Sequence, residues 1–291
     1  RLWKENRAGR FAPELPAYNE ASSPWRLYTN RILDERRDLT LCPVIHLSAM
    51  REKLQNKLGI RRVEELERLG VDDFVKALGP KNGVRIFHKY RAYKEKLPFV
   101  IPGERPEIPR RPRRIYFDFE TSVSEHPTIP PHIYMVGLHD READEFKLFV
   151  AKGPGEEEKM FAEFLDYVGD PAGAALYHWT DFEIKEMNGL KERAPALRAR
   201  IDRLIDACVD LKACVDGKVI FPTPTYSIKE VAPHLGFRWK QDDVDAMESC
   251  LLYWEWLADG DHRKMDRIVR YNKDDCLAMI HVDKVLEEAG A

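Results

Sequence analysis

The segment PGERPEIPRRPRR, residues 102–114, constrains this chain more than any other. Its four prolines remove backbone donors and fix φ, and a run of arginines lies among them, so it can be neither helix nor central strand. It predicts a boundary, with a region of 1–101, a linker of 102–114 and a body of 115–291. Charge divides at the same place. Residues 1–114 carry 26 Lys+Arg against 15 Asp+Glu, or +11; subtraction from the totals of 47 and 50 leaves 21 against 35, or −14, for the rest. A basic arm joined to a carboxylate-rich body suits a protein that attracts a polyanion and handles it with metal ions, although two independently soluble surfaces would give the same count.

Before the linker, Leu54, Leu58 and Ile60, then Val63, Leu66 and Leu69, recur at helical spacing and are interrupted by Gly59 and Gly70. A small, mainly helical region is expected. Its LGIRRVEELERLG stretch resembles a helix-hairpin-helix, whose backbone amides approach a DNA phosphate; a spacer packed on its own Leu/Ile stripe fits equally well. After the linker the pattern becomes α/β, with strands predicted at 115–120, 132–139, 145–150 and 174–179. Helices are predicted after GPGEEE and at 183–192, 195–206, 227–235, 246–258 and 261–288. Three successive strands, then a strand alternating with helices, predict a mixed sheet flanked by helices.

In the first strand, RRIYFDFETS, side chains alternate between faces, which places Tyr116, Asp118 and Glu120 on one side and Ile115, Phe117 and Phe119 on the other. Two carboxylates side by side next to a core are costly unless something positive lies between them. Candidate partners occur downstream. YHWTDFEIKEM offers His178, Asp181 and Glu183 at a strand-to-helix junction, and RYNKDDCLAM places Tyr271 and Asp275 four apart on one helical face. Three acidic segments converging on one point would suit hard divalent cations, which take oxygen ligands and in pairs clamp both oxygens of a phosphodiester displacement. Each segment alone also reads as an ordinary solvated face or helical hydrogen bond.

Other chemistries find less support. The five cysteines form no CxxC pair, so neither a disulfide framework nor a zinc or iron–sulfur site is expected. No apolar run reaches the roughly 20 residues of a membrane helix, and the Arg-rich start is unlike a secretory signal; a cytoplasmic protein is expected.

At these motifs the sequence resembles the DEDD exonucleases of the ribonuclease H-like superfamily, in the subgroup with tyrosine in the third motif. YFDFET is similar to their first motif and YNKDD to their third. PTYSIKEVAPHLGF, residues 224–237, with RYNKDDCLAM, resembles the C-terminal exonuclease-like domain of predicted RecB-like nucleases. NEASSPWRLYTN, residues 19–30, resembles the end of those relatives' cysteine-bearing segment but has no cysteine, and no restriction-type motif is visible in residues 1–100. The resemblance implies a ribonuclease H-like fold and 3′–5′ exonuclease activity, with two Mg2+ or Mn2+ ions held by Asp118, Glu120, Glu183 and Asp275, and Tyr271 positioning the attacking water. Aligning the family's His-Asn-x-x-Phe-Asp pattern on His178 and Phe182 puts Glu183 at the acidic position. Asp181 is then expected to cap the helix by accepting a backbone amide, His178 to support the site, and Asp210 to be the next acidic candidate. Nucleic acid is the implied partner, DNA before RNA, with a protein partner for the N-terminal region also open. A ribonuclease of this fold, or a binding module without turnover, fits the same residues.

Overall fold

The computed structural model describes Ile45 and residues 48–122, 128–223, 225–240 and 244–288. Cys42 and the NEASSPWRLYTN segment lie outside the described residues. The chain forms two compact units, one from the described parts of Arg1–Phe99 and Ile220–Tyr226, the other from those of Val100–Val219 and Ser227–Ala291.

In the first unit, α1 (Ser48–Leu58), a 3-10 turn (Val63–Arg68), α2 (Val71–Leu78) and α3 (Pro80–Glu95) follow one another. The predicted stripes form its core, where Leu54, Ile60, Val63 and Leu66 meet Phe74, Ile86 and Tyr90. Gly83 lets α2 and α3 touch backbone to backbone, since a β-carbon there would lie 2.4 Å from Val75 Cα. The carboxylate of Glu65 accepts the amides of Arg61 and Arg62 at 2.7 and 2.8 Å and so pins the turn.

The second unit is built on a five-stranded sheet of order β3-β2-β1-β4-β5. Its strands are β1 (Arg113–Ser122), β2 (His132–Asp140), β3 (Glu145–Val150), β4 (Ala174–His178) and β5 (Cys208–Asp210). The β1–β2 and β2–β3 pairs are antiparallel, and β1–β4 and β4–β5 are parallel. Helices α4 (Glu157–Val168), α5 (Phe182–Arg193) and α6 (Arg198–Asp206) pack on one face, against Ile115, Phe117 and Phe119. After β5 come the short α7 (Leu211–Val215) and α8 (Ile228–His234), then α9 (Ala246–Asp259) and α10 (His262–Glu288). The last two pack on the opposite face, where Leu252, Tyr253, Met265 and Ile268 meet Tyr134 and Met135. The predicted mixed sheet flanked by helices is therefore present. The sequence pattern did not foresee β5 or α7, because three and five residues carry too little period to read.

The β1–β2 ladder has one irregularity. Glu120 pairs with Met135 and Thr121 with Ile133, so Tyr134 is an extra residue in β2. As a result Ile133 and Val136 enter one core, while the sequence neighbours Tyr134 and Met135 both enter the other. Arg110 of the linker is tied down at Asp283, a fully buried α10 carboxylate that accepts its Nη1 at 2.6–2.7 Å and also the hydroxyl of Tyr116. Cys208, Cys214, Cys250 and Cys276 are free thiols. Among the described residues no helix is long and apolar enough to cross a membrane.

Candidate metal centre

Because Phe117 and Phe119 occupy the α4–α6 face, Asp118 and Glu120 project from β1 on the other, under α10. Gly137, the partner of Asp118 across the ladder, allows α10 to come this close. In the space left by its missing side chain sits Asn272, fully buried, whose Nδ2 donates to Asp118 Oδ2 at 2.9 Å, to the Asp118 carbonyl at 3.3 Å and to Glu120 Oε1 at 3.3 Å. One turn further along α10 comes Asp275. One carboxylate oxygen from each of Asp118, Glu120 and Asp275 lies within 4.8 Å of the others.

Neighbouring donors hold this triad in shape. Ser249 of α9 donates to Glu120 Oε2 at 2.8 Å and shares a 2.6 Å hydrogen bond with the buried hydroxyl of Tyr134, the extra residue of β2. Lys229 of α8 binds Asp275 Oδ1 through its ammonium group, and Trp239 Nε1 donates to the same oxygen at 2.7 Å. Even so, the cluster is short of positive charge. Burial, then the charges of Asp275, Glu120 and Glu183, raise the Asp118 carboxyl well above its ordinary range. Burial and Asp275 push Glu120 up to about 8. Asp275 is also raised by burial, against the opposing pull of Lys229 and Trp239.

A divalent cation fits this donor set. All three ligands are hard oxygens, their convergence is unfavourable without a positive charge, and among the described residues no histidine or cysteine joins the cluster.

The remaining predicted residues lie around the triad. Tyr271 begins the same helical face and is 6% exposed; burial, then Asp275, Glu120 and Asp118, push its phenol far above its usual value. Glu183, 3% exposed, lies outside the triad, with Oε2 3.4 Å from His178 Nδ1. It is close enough for its charge to raise Asp118, and burial raises its own carboxyl. His178 Nδ1 also bonds the Thr180 carbonyl at 2.5 Å.

Asp181 departs from expectation. It sits at the N-cap position of α5 but accepts no backbone amide there, and instead pairs with Lys185 at 2.8 Å. An N-cap side chain reaches its amide from extended backbone. Thr180, at φ +86°, turns the chain so that Asp181 sits at φ −84°, ψ 8°, and Thr180 Oγ1 takes the Phe182 amide at 3.3 Å in its place. Asp210 serves the backbone, accepting the amides of Thr180 at 3.1 Å and Ala213 at 3.0 Å.

Sequence reasoning missed Gly137, Lys229, Trp239, Ser249 and Asn272. Only Asn272 gave a local signal, as a polar residue that shares a helical face with Asp275 and Cys276.

A model of the RNase_H superfamily matches residues 115–287. Among solved structures, the chain is similar to the family B DNA polymerase from the hyperthermophilic archaeon Pyrobaculum calidifontis, at 16% identity and a TM-score of 0.43, over 78% of this chain and 34% of that one. The chain thus spans about a third of that polymerase's length. No curated protein matches it.

Proposed function

This chain belongs to the RNase_H superfamily, and from that premise we propose that its second unit is a 3′–5′ exonuclease that hydrolyses DNA phosphodiesters with two divalent cations, Mg2+ or Mn2+. The observation that carries the proposal is the convergence of Asp118, Glu120 and Asp275 within 4.8 Å, at a cost in electrostatic free energy that a divalent cation would offset. Divalent cations bound there would polarise a phosphoryl oxygen and acidify a water. In this reading Asp118, Glu120 and Asp275 hold the ions, and Glu183, buried beside His178, serves the second site.

Tyr271 then has a defined task. Its raised pKa keeps the phenol protonated at neutral pH, so it orients the attacking water by hydrogen bonding and does not take the water's proton. Its place in YNKDD is the basis for the tyrosine-subgroup assignment, as PTYSIKEVAPHLGF is for the likeness to RecB-like nucleases. The first unit, in the basic part of the chain, contributes affinity for the phosphate backbone and is also the surface open to a protein partner.

Incubating the full chain with Mn2+ and a 5′-labelled single strand tests this. Stepwise shortening from the 3′ end is expected, lost in excess chelator; activity that persists in chelator, or shortening from the 5′ end, refutes it. An RNA strand in parallel assigns the sugar. A second reading, a binding module without turnover, is favoured by the position of Glu183 outside the triad, and metal-dependent retention of an uncut strand would establish it.

A further inference from the structure

Lys229 is the basic side chain, among the described residues, that ion-pairs with the triad. It leaves the first turn of α8, and its ammonium lies 4.1 Å from the ring centroid of Tyr271 and 4.7 Å from that of Trp239. Two aromatic faces thus hold a cation against Asp275 Oδ1, an oxygen that the indole of Trp239 also engages. The lysine side chain is 37% exposed and the aspartate 9%. The charge therefore comes from the solvent side, on a four-carbon stem that can swing.

An ammonium group on Asp275 Oδ1 and a divalent cation at the triad compete for the same negative charge and repel each other at this range. The first supplies one positive charge to three clustered carboxyls, and the second supplies two. Whichever is bound, the aromatic walls keep the ammonium beside the centre. There the anion available to it would be a phosphate oxygen, which lysine binds as a point charge. On the exonuclease reading above, we propose that Lys229 is an internal counter-ion of Asp275 that a divalent cation displaces, and that the displaced ammonium then pairs with a phosphate of the bound strand. Lys229 is in this sense a positioning residue. It holds the metal site in shape before loading and passes to the substrate afterwards.

The two halves of this exchange predict changes of opposite sign for one substitution. Mn2+ is titrated into the full chain without nucleic acid, with free Mn2+ followed by its paramagnetic resonance. Lys229→Met is expected to bind the ion about tenfold more tightly than the native chain, because one competing charge at hydrogen-bond distance is gone. Lys229→Arg should stay near the native value. In saturating Mn2+, a single-stranded phosphorothioate oligonucleotide should bind Lys229→Met several-fold more weakly than native, by about the loss of one phosphate contact. Equal or weaker Mn2+ binding by Lys229→Met overturns the counter-ion role, and equal strand affinity overturns the transfer to phosphate. Lys229→Gln gives the same two readings should the methionine variant not fold. If neither native nor variant chain takes up Mn2+, the exonuclease reading itself falls, an outcome distinct from equal uptake by both.

Discussion

Asn272 occupies the space that a side chain at position 137 would need: a β-carbon on Gly137 would stand 1.7 Å from Asn272 Oδ1. The terminal helix lies on the sheet at the one place where its partner strand has no side chain, and Asn272 reaches both β1 carboxylates through that gap.

Gly137→Ala should therefore push Asn272 off Asp118 and Glu120. Overpacking at a site this tight costs about 1–3 kcal/mol, and Mn2+ affinity should fall with it. Urea unfolding and an Mn2+ titration read the two effects. An alanine variant with native stability would mean that α10 is free to shift.

Asp118→Asn should abolish hydrolysis and Mn2+ binding while leaving the cation-free protein as stable as before, or more so. The substitution removes one of three clustered carboxyls that repel one another and keeps an oxygen that can accept the Asn272 amide. Thermal melts in chelator check this, and a large loss of stability would show that the carboxylate is needed for the fold.

The raised carboxyls also set a pH dependence. In the folded chain Glu120 titrates near 8 instead of its ordinary 4.5, so folded protein holds a proton that unfolded protein has released. Its contribution to stability is complete below about pH 4.5 and is lost as pH rises towards 8, by up to about 1.4 kcal/mol per pH unit for each such proton. Buried His132 and His139, whose pKa values burial lowers, work in the opposite sense. The comparison to make is therefore native against Glu120→Gln, both in chelator. Native stability should decline more steeply across this window, and saturating Mn2+ should remove the difference. Parallel pH profiles would place the Glu120 carboxyl in its ordinary range.

Glu183→Gln is expected to cost orders of magnitude in turnover with little change in melting temperature, and Asp181→Asn to cost little of either. The contrast follows from placement, with Glu183 buried beside His178 and Asp181 exposed and paired with Lys185. Rates of both variants on one labelled strand decide the matter, and the reverse order would put Asp181 at the metal.

What could be read in advance depended on how far apart the interacting residues lie in the chain. Asp118 and Glu120 share a strand face, and Tyr271 and Asp275 a helical face, so a period of two or of four reveals each pair. The residues that complete the centre arrive from 36 to 154 positions away, as with Trp239 on Asp275 and Asn272 on Asp118, and no local period relates them. By sequence Lys229 is one more charge near the start of a helix, and its partner Asp275 lies 46 positions further on. Asp181 takes the expected cap position but not the cap bond, for a different reason. Its residue type suits a cap, but the positive φ of Thr180, a branched residue that rarely adopts it, changes the geometry the cap requires.

The single extra residue in β2 acts as a phase change in the strand's alternation. Upstream of Tyr134 the odd-numbered Ile133 points to the helices of one layer; downstream the even-numbered Val136 and Leu138 do. Deleting Tyr134 would let Ile133, Val136 and Leu138 alternate strictly with Met135 and Gly137, each on its present face, so both cores would keep their strand residues. What the deletion would take away is the hydroxyl that shares a hydrogen bond with Ser249, the donor to Glu120. The surplus residue thus lets one strand send two consecutive side chains to the face of the acidic centre without disturbing the opposite core.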